Sequence, residues 1–174
     1  MNTANKLTML RVILIPVFLI VLYIGFEGSR CVALAIFALA SLTDFADGHI
    51  ARSRGQITDF GKCMDPLADK VLGFAALLWF TQQGLVPAWA TLIVIIREFA
   101  VTALRLVAVN RDRVIAAGIS GKIKTAATMV CIMLMFLPIP KIMVYICIGV
   151  IIAVTLYSGI EYFVKNRDSL NWTK

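Results

Sequence analysis

The chain has 174 residues, of which 60% are hydrophobic and only 16% charged, and it carries a net charge of +7. A water-soluble globule of this length does not hold so many apolar residues, and six spans of ~20 residues would take up about 120 positions, which excludes a large extramembrane domain. The basic excess is what lysines and arginines gathered on one side of a bilayer produce, so nucleic acid is not the expected partner.

The first apolar run, Val12–Phe26, follows Lys6 and Arg11 in the manner of a secretory signal. No small-residue cleavage site follows it and further spans do, so it is expected to be a retained first helix in which Pro16 is tolerated. Further runs follow at Cys31–Leu42, Leu67–Phe80, Leu85–Ile96, Thr125–Leu137 and Ile142–Ile160. They are separated by Glu27–Arg30, a polar stretch, Gln82–Gly84, a second polar stretch and Pro138–Pro140. The simplest count is six spans. On an alternating path Lys6, Arg11, Arg52, Arg54, Lys62, Lys70, Arg105, Arg111, Arg113, Lys122, Lys124, Lys165, Arg167 and Lys174 fall on the side of both termini, and only Arg30 and Lys141 fall opposite. The expectation is an all-α integral membrane protein of the cell membrane, one domain over residues 1–174, multi-pass with both termini cytoplasmic. Trp79 and Trp89, beside the outer loop, are expected as interfacial anchors. Cys31, Cys63, Cys131 and Cys147 are widely spaced and the chain has a single His, which speaks against zinc and a disulfide framework.

The runs are unequal. The second and fourth hold about 12 continuous apolar residues, roughly 18 Å of helix where ~30 Å of hydrocarbon must be crossed. Their cytoplasmic halves must therefore be polar. Span two continues into Asp44, Asp47 and Arg52, span three starts from Asp65 and Asp69, and span four runs into Arg97, Glu98 and Arg105. Those helices are expected to surround a hydrophilic cavity open to the cytoplasm.

A carboxylate at mid-membrane costs ~2.5 to 3.5 kcal/mol, so four would ask for roughly 10 kcal/mol if uncompensated. Asp44 and Asp47 lie about 60° apart on a helix, and Asp65 and Asp69 about 40° apart, so each pair shares a face. All-oxygen ligands favour a hard ion such as Mg²⁺ or Mn²⁺, and four carboxylates suit a two-metal site. Gly48, Ala51 and Gly61 leave room for a ligand beside these acids. Arg52 adds a planar donor fork suited to phosphate oxygens, which points to a phosphorylated substrate such as a diphosphate. The plainer alternative is that the acids pair with Arg52, Arg54, Lys62 and Lys70, but such pairing does not require four carboxylates interleaved with glycines.

Asp44-Phe-Ala-Asp47-Gly48-His-Ile-Ala51-Arg52, then Gly61-Lys-Cys-Met-Asp65-Pro-Leu-Ala-Asp69, resembles the complete signature of the CDP-alcohol phosphatidyltransferases. The resemblance implies six transmembrane helices, a homodimer, and a reaction in which an alcohol displaces CMP from a CDP-linked lipid. It implies that Asp44, Asp47, Asp65 and Asp69 bind the metals and that Asp47, Gly48, Ala51, Arg52 and Gly61 help to hold the CDP moiety. Asp65 and Asp69 would be the catalytic pair, with Asp69 doubling as general base. His49, at an unspecified position of the signature, is expected at the pocket wall.

A second polar cluster bears on the acceptor. Glu98, Thr102 and Arg105 share a helix face within about 60°, and Arg97 lies about 80° from Arg105. With Lys122 these arginines make three cations, what a phosphate dianion requires and more than a neutral alcohol needs. The competing reading pairs Arg97 with Glu98. Arg97-Glu-x-x-x-Thr102-x-x-Arg105 and Gly121-Lys122-x-Lys124-Thr125 resemble the bacterial phosphatidylglycerophosphate synthases, as does the opening Asn5-Lys-Leu7-Thr8-x-x-Arg11. This resemblance implies CDP-diacylglycerol as donor and sn-glycerol 3-phosphate as acceptor, its phosphate held by Arg97, Arg105 and Lys122, with Lys124 in a lesser part. Sister enzymes using inositol phosphate, serine or phosphatidylglycerol would keep the aspartates and alter this pocket. A cation transporter would also use intramembrane acids, but it leaves the glycine, alanine and arginine spacing unexplained.

Overall fold

The computed structural model describes residues 3–54, 59–109 and 118–166, with side chains described at 9–10, 12–43, 70–105 and 118–166. Among these residues the chain forms six α-helices and no strand: α1 Thr3–Ile24, α2 Ser29–Arg54, α3 Asp59–Gln82, α4 Ala88–Val109, α5 Ile119–Phe136 and α6 Lys141–Lys165. Every apolar run lies largely within a helix of its own. Each helix is longer than its run, because the backbone ladder continues through polar turns until a cap or breaker stops it. α2 carries on past the short second run to Arg54, and α4 past the short fourth run to Val109. Pro16 sits inside α1 without ending it.

The breaks between helices have local causes. Gly25 and Gly28 adopt φ of 68° and 88°, left-handed values that carry the chain from α1 to α2 within a few residues. α3 ends at Gln82 and is capped by Gly84 at φ 70°, with Gly84 N–H donating to the Thr81 carbonyl at 3.0 Å and Leu85 N–H to the Phe80 carbonyl at 3.0 Å. That pair of bonds is a Schellman cap, which satisfies carbonyls that the last turn would otherwise leave open. Pro140, extended at φ −64°, precedes α6.

The helices gather into two compact units. The first comprises Met1–Trp79 and Ile132–Pro138, the second Phe80–Cys131 and Ile139–Lys174. In the first, α1 packs along α2. Phe18 of α1 and Phe37 of α2, both fully buried, lie 6.0 Å apart between ring centroids, and Phe136 closes on them at 5.9 and 6.4 Å. Trp79 stacks on Phe136 at 5.9 Å, and the guanidinium of Arg30 lies 5.6 Å from the Trp79 ring. Trp79 is therefore a core residue, 5% exposed, and not the interfacial anchor its place beside a loop suggested. Trp89, 57% exposed, keeps a position open to its surroundings.

In the second unit α4 packs along α6. Val101 and Leu104 of α4 meet Tyr162 of α6 in a small apolar cluster. The hydroxyls of Thr81 and Thr91 share a hydrogen bond of 2.7 Å, which ties the end of α3 to the start of α4. α5 and α6 are each long and apolar enough to cross a membrane, while the apolar stretches Val12–Ile24 and Ser29–Thr43 are shorter.

Candidate active site

All eight signature positions fall on helical backbone. Asp44, Asp47, Gly48, Ala51 and Arg52 belong to the last turns of α2, and Gly61, Asp65 and Asp69 to the first turns of α3. The i, i+3 and i, i+4 spacings therefore operate on real helices, and both carboxylate pairs belong to the first compact unit. The side chains of these residues lie outside the described ones. The donor chemistry fits a hard divalent ion: two helices supply four aspartates, with no Cys or His at a signature position.

The second polar cluster lies among residues with described side chains. α4, α5 and α6 of the second unit converge on Glu98, which is 9% exposed. Arg97 donates from Nη1 to Glu98 Oε1 at 2.8 Å, and Lys124 of α5 donates from Nζ to the same oxygen at 2.5 Å. Neighbouring helix positions point about 100° apart, so the Arg97–Glu98 contact depends on the reach of the arginine stem. The second terminal nitrogen of Arg97, Nη2, donates to Ser158 Oγ of α6 at 2.9 Å. Its Nε is buried and has no partner among the described residues. Two fixed cations on one carboxylate leave this group one positive charge in excess.

Two turns along α4, Arg105 is exposed at its tip and anchored at its base. Its Nε donates to the Tyr162 hydroxyl at 3.1 Å, and its guanidinium lies 5.5 Å from the Tyr162 ring centre, within cation–π range. Between the two arginines, Thr102 turns its hydroxyl back onto the Glu98 carbonyl at 2.8 Å. Lys122, in the first turn of α5, is exposed. That turn is also the positive end of the α5 dipole, which favours an anion.

The structure thus brings Arg97 and Lys124 onto Glu98 between α4 and α5 and holds Arg105 between α4 and α6, with Lys122 exposed at the start of α5. Lys124, 6% exposed, is more deeply committed than its sequence position suggested. Pairing with Glu98 and a free phosphate-binding capacity are not exclusive for Arg97, since one carboxylate oxygen is shared by two cations. Sequence reasoning passed over α6, whose Ser158, Gly159 and Tyr162 complete the cluster. The signal was present as Thr155, Ser158 and Tyr162 along one stripe of an otherwise apolar helix, at i, i+3 and i+7. Arg111 and Arg113 lie outside the described residues.

Comparison with known proteins bears on both clusters. The chain is 40% identical to a Bacillus subtilis protein named CDP-diacylglycerol–glycerol-3-phosphate 3-phosphatidyltransferase, across 97% of each chain. It is 39% identical to a probable phosphatidylglycerophosphate synthase of Mycobacterium tuberculosis, across 94% of this chain and 81% of that one. A Pseudomonas fluorescens protein bearing the same name as the Bacillus one is 35% identical, across 93% and 88%. The family model described as CDP-alcohol phosphatidyltransferase matches residues 1–157, which takes in the signature of α2 and α3 and the arginine cluster of α4 and α5. On the strength of a match over most of its length, the chain belongs to the CDP-alcohol phosphatidyltransferase family.

Proposed function

We propose that this protein transfers the phosphatidyl group of CDP-diacylglycerol to sn-glycerol 3-phosphate, giving phosphatidylglycerophosphate and CMP. The observation that carries the reading is the unbroken signature from Asp44 to Asp69 in a chain aligned almost end to end with a relative named for this transfer. In this reaction the free primary hydroxyl of the acceptor bonds to the phosphorus that bears the diacylglycerol. The bond from that phosphorus to the bridging oxygen breaks, and CMP departs with the electron pair. Asp69 takes the hydroxyl proton as general base, with Asp65 beside it in sequence register.

Asp44, Asp47, Asp65 and Asp69 would hold two Mg²⁺ or Mn²⁺ ions, with Gly48, Ala51, Arg52 and Gly61 against the CDP moiety. When bound, such ions would supply charge neutralisation to the diphosphate and the departing CMP. Positioning and electrostatics account for most of the rate. Arg97, Arg105 and Lys122 hold the acceptor phosphate, and Lys124 holds Glu98 in place. The positive charge that Arg97 and Lys124 leave in excess around Glu98, together with the exposed Arg105 and Lys122, supports an anionic acceptor over a neutral one.

The protein works from within the cell membrane as a multi-pass domain over residues 1–174, both termini cytoplasmic, and as a homodimer. Ile142, Tyr145, Ile146, Tyr157, Ile160 and Val164 of α6 are each more than half exposed, a surface that suits lipid and not water. A bilayer location also lets the acyl chains of donor and product stay in hydrocarbon. The test is CMP release by the purified protein in detergent, given CDP-diacylglycerol and Mg²⁺, with glycerol 3-phosphate, inositol phosphate, serine or no acceptor in parallel. Release dependent on glycerol 3-phosphate is expected. Release with another alcohol alone overturns the acceptor, and no release from folded protein overturns the transferase reading.

A further inference from the structure

We infer that α6 is the positioning element of the acceptor site: Ser158 and Tyr162, one helical turn apart, each fix one of the two arginines that hold the acceptor phosphate. The inference rests on the acceptor reading proposed above, and it assigns a function to a helix that contributes nothing to the signature.

The geometry is matched between helices. Ser158 and Tyr162 are four residues apart and so lie on one face of α6, while Arg97 and Arg105 lie eight apart along α4. Ser158 accepts from Arg97 Nη2 at 2.9 Å, and Tyr162 accepts from Arg105 Nε at 3.1 Å. Both α6 residues are buried, at 1% and 7% exposure, so solvent reaches each bond only from the α4 side. The Ser158 hydroxyl donates its proton to the Thr155 carbonyl at 3.2 Å, which leaves its lone pairs for the guanidinium. Gly159 between them is part of the same device. A Cβ there would stand 3.2 Å from Arg97 Cγ, so the glycine lets the arginine stem lie against the α6 backbone.

The physical need for such a device follows from arginine itself. A free guanidinium on a long stem loses rotamer entropy whenever it grips a ligand, and a pair already fixed has less to lose. Preorganised donors bind a dianion without reorganising at the moment of capture. Ser158 and Tyr162 are therefore positioning residues that act through Arg97 and Arg105, without contact to the acceptor.

The experiment measures kcat and KM for glycerol 3-phosphate, and KM for CDP-diacylglycerol, in purified wild-type protein and in Ser158→Ala, Tyr162→Phe, Arg97→Lys and Arg105→Lys. Loss of one hydrogen bond to a charged group is expected to raise the acceptor KM about tenfold for Ser158→Ala, and severalfold for Tyr162→Phe, which keeps its ring. The CDP-diacylglycerol KM stays within about twofold. Because the α6 residues act through the arginines, Ser158→Ala adds nothing in the Arg97→Lys background, and Tyr162→Phe adds nothing in the Arg105→Lys background. Gly159→Ala, which displaces the Arg97 stem without removing a hydrogen bond, raises the acceptor KM as well and decides the matter should Ser158→Ala not fold. If the arginine variants raise the acceptor KM while the α6 variants leave it unchanged, or multiply the arginine effects in full, α6 has no positioning role and the acceptor reading stands. If the arginine variants themselves leave the acceptor KM unchanged, the acceptor reading falls and this inference falls with it.

Discussion

Glu98 is the carboxylate on which the described site turns, and its removal should cost more than any change at the surface. Its side chain is 11% exposed, and one oxygen takes hydrogen bonds from Arg97 at 2.8 Å and Lys124 at 2.5 Å. Glu98→Gln keeps the shape but leaves the Lys124 ammonium, itself 7% exposed, without a counter-charge. Breaking a buried pair from one side costs about 3–5 kcal/mol, because the surviving charge stays buried and unpaired. At about 2–4 °C per kcal/mol for a chain of this size, the unfolding temperature should fall by roughly 6–20 °C. Lys124→Met is gentler, since Glu98 keeps Arg97 and the methionine replaces the lysine stem, and it should cost about 1–2 kcal/mol. Combining the two removes the orphaned ammonium, so the double variant should be more stable than Glu98→Gln alone. Thermal unfolding in one detergent, followed by intrinsic tryptophan fluorescence, reads all three. An unfolding temperature for Glu98→Gln within about 2 °C of wild type would refute the reasoning, as would a double variant that loses the sum of the single losses.

Asp69→Asn should abolish CMP release while nucleotide binding remains measurable, and turnover near the wild-type level would remove Asp69 as the base. Asp44→Asn should instead weaken metal and CDP-lipid binding together, seen as a parallel rise in the Mg²⁺ and CDP-diacylglycerol concentrations needed for half-maximal rate. Chelation of divalent ions should stop CMP release and added Mg²⁺ or Mn²⁺ should restore it, whereas release that persists in excess chelator would refute a metal site. Phe37→Ala, at a fully buried ring between Phe18 and Phe136, should cost about 2–3 kcal/mol by thermal unfolding. That is below the ~3–5 kcal/mol of a soluble core, because lipid is as apolar as the helix interface and only packing is lost. The acceptor KM should not move, which separates this core from the acceptor cluster.

Apolar runs and breakers were enough to count the helices among the described residues, because a long apolar run between breakers closes its own backbone hydrogen bonds most simply as a helix. Hydropathy was the ruler: the short second and fourth runs end inside α2 and α4, whose helices continue through polar residues to Arg54 and Val109. Trp79 shows where that ruler stops helping. Its neighbours in sequence place it beside a loop, but its environment is set by Arg30 and Phe136, which come from α2 and α5. A tryptophan with an apolar body and a polar edge suits either place, and only the packing decides between them.

The site divides along the same line. The aspartates could be singled out from sequence because a charged group beside long apolar runs calls for a purpose, and because i, i+3 and i, i+4 spacings convert directly into the helix geometry that α2 and α3 supply. Ser158 and Tyr162 were not, although they sit in the most apolar-looking part of the chain. A serine that returns its proton to its own helix, as Ser158 does to Thr155, disturbs neither hydropathy nor helix formation. Its remaining lone pairs become meaningful only when a second helix brings a cation against them. Glu98 shows the same dependence in charge. Pairing with its neighbour Arg97 was only the competing reading from sequence; the structure forms that pair, and Lys124 arriving from α5 adds a second cation to the same carboxylate. A residue whose role comes from its own charge can be recognised alone, whereas one whose role is to orient another residue becomes recognisable only with its partner in place.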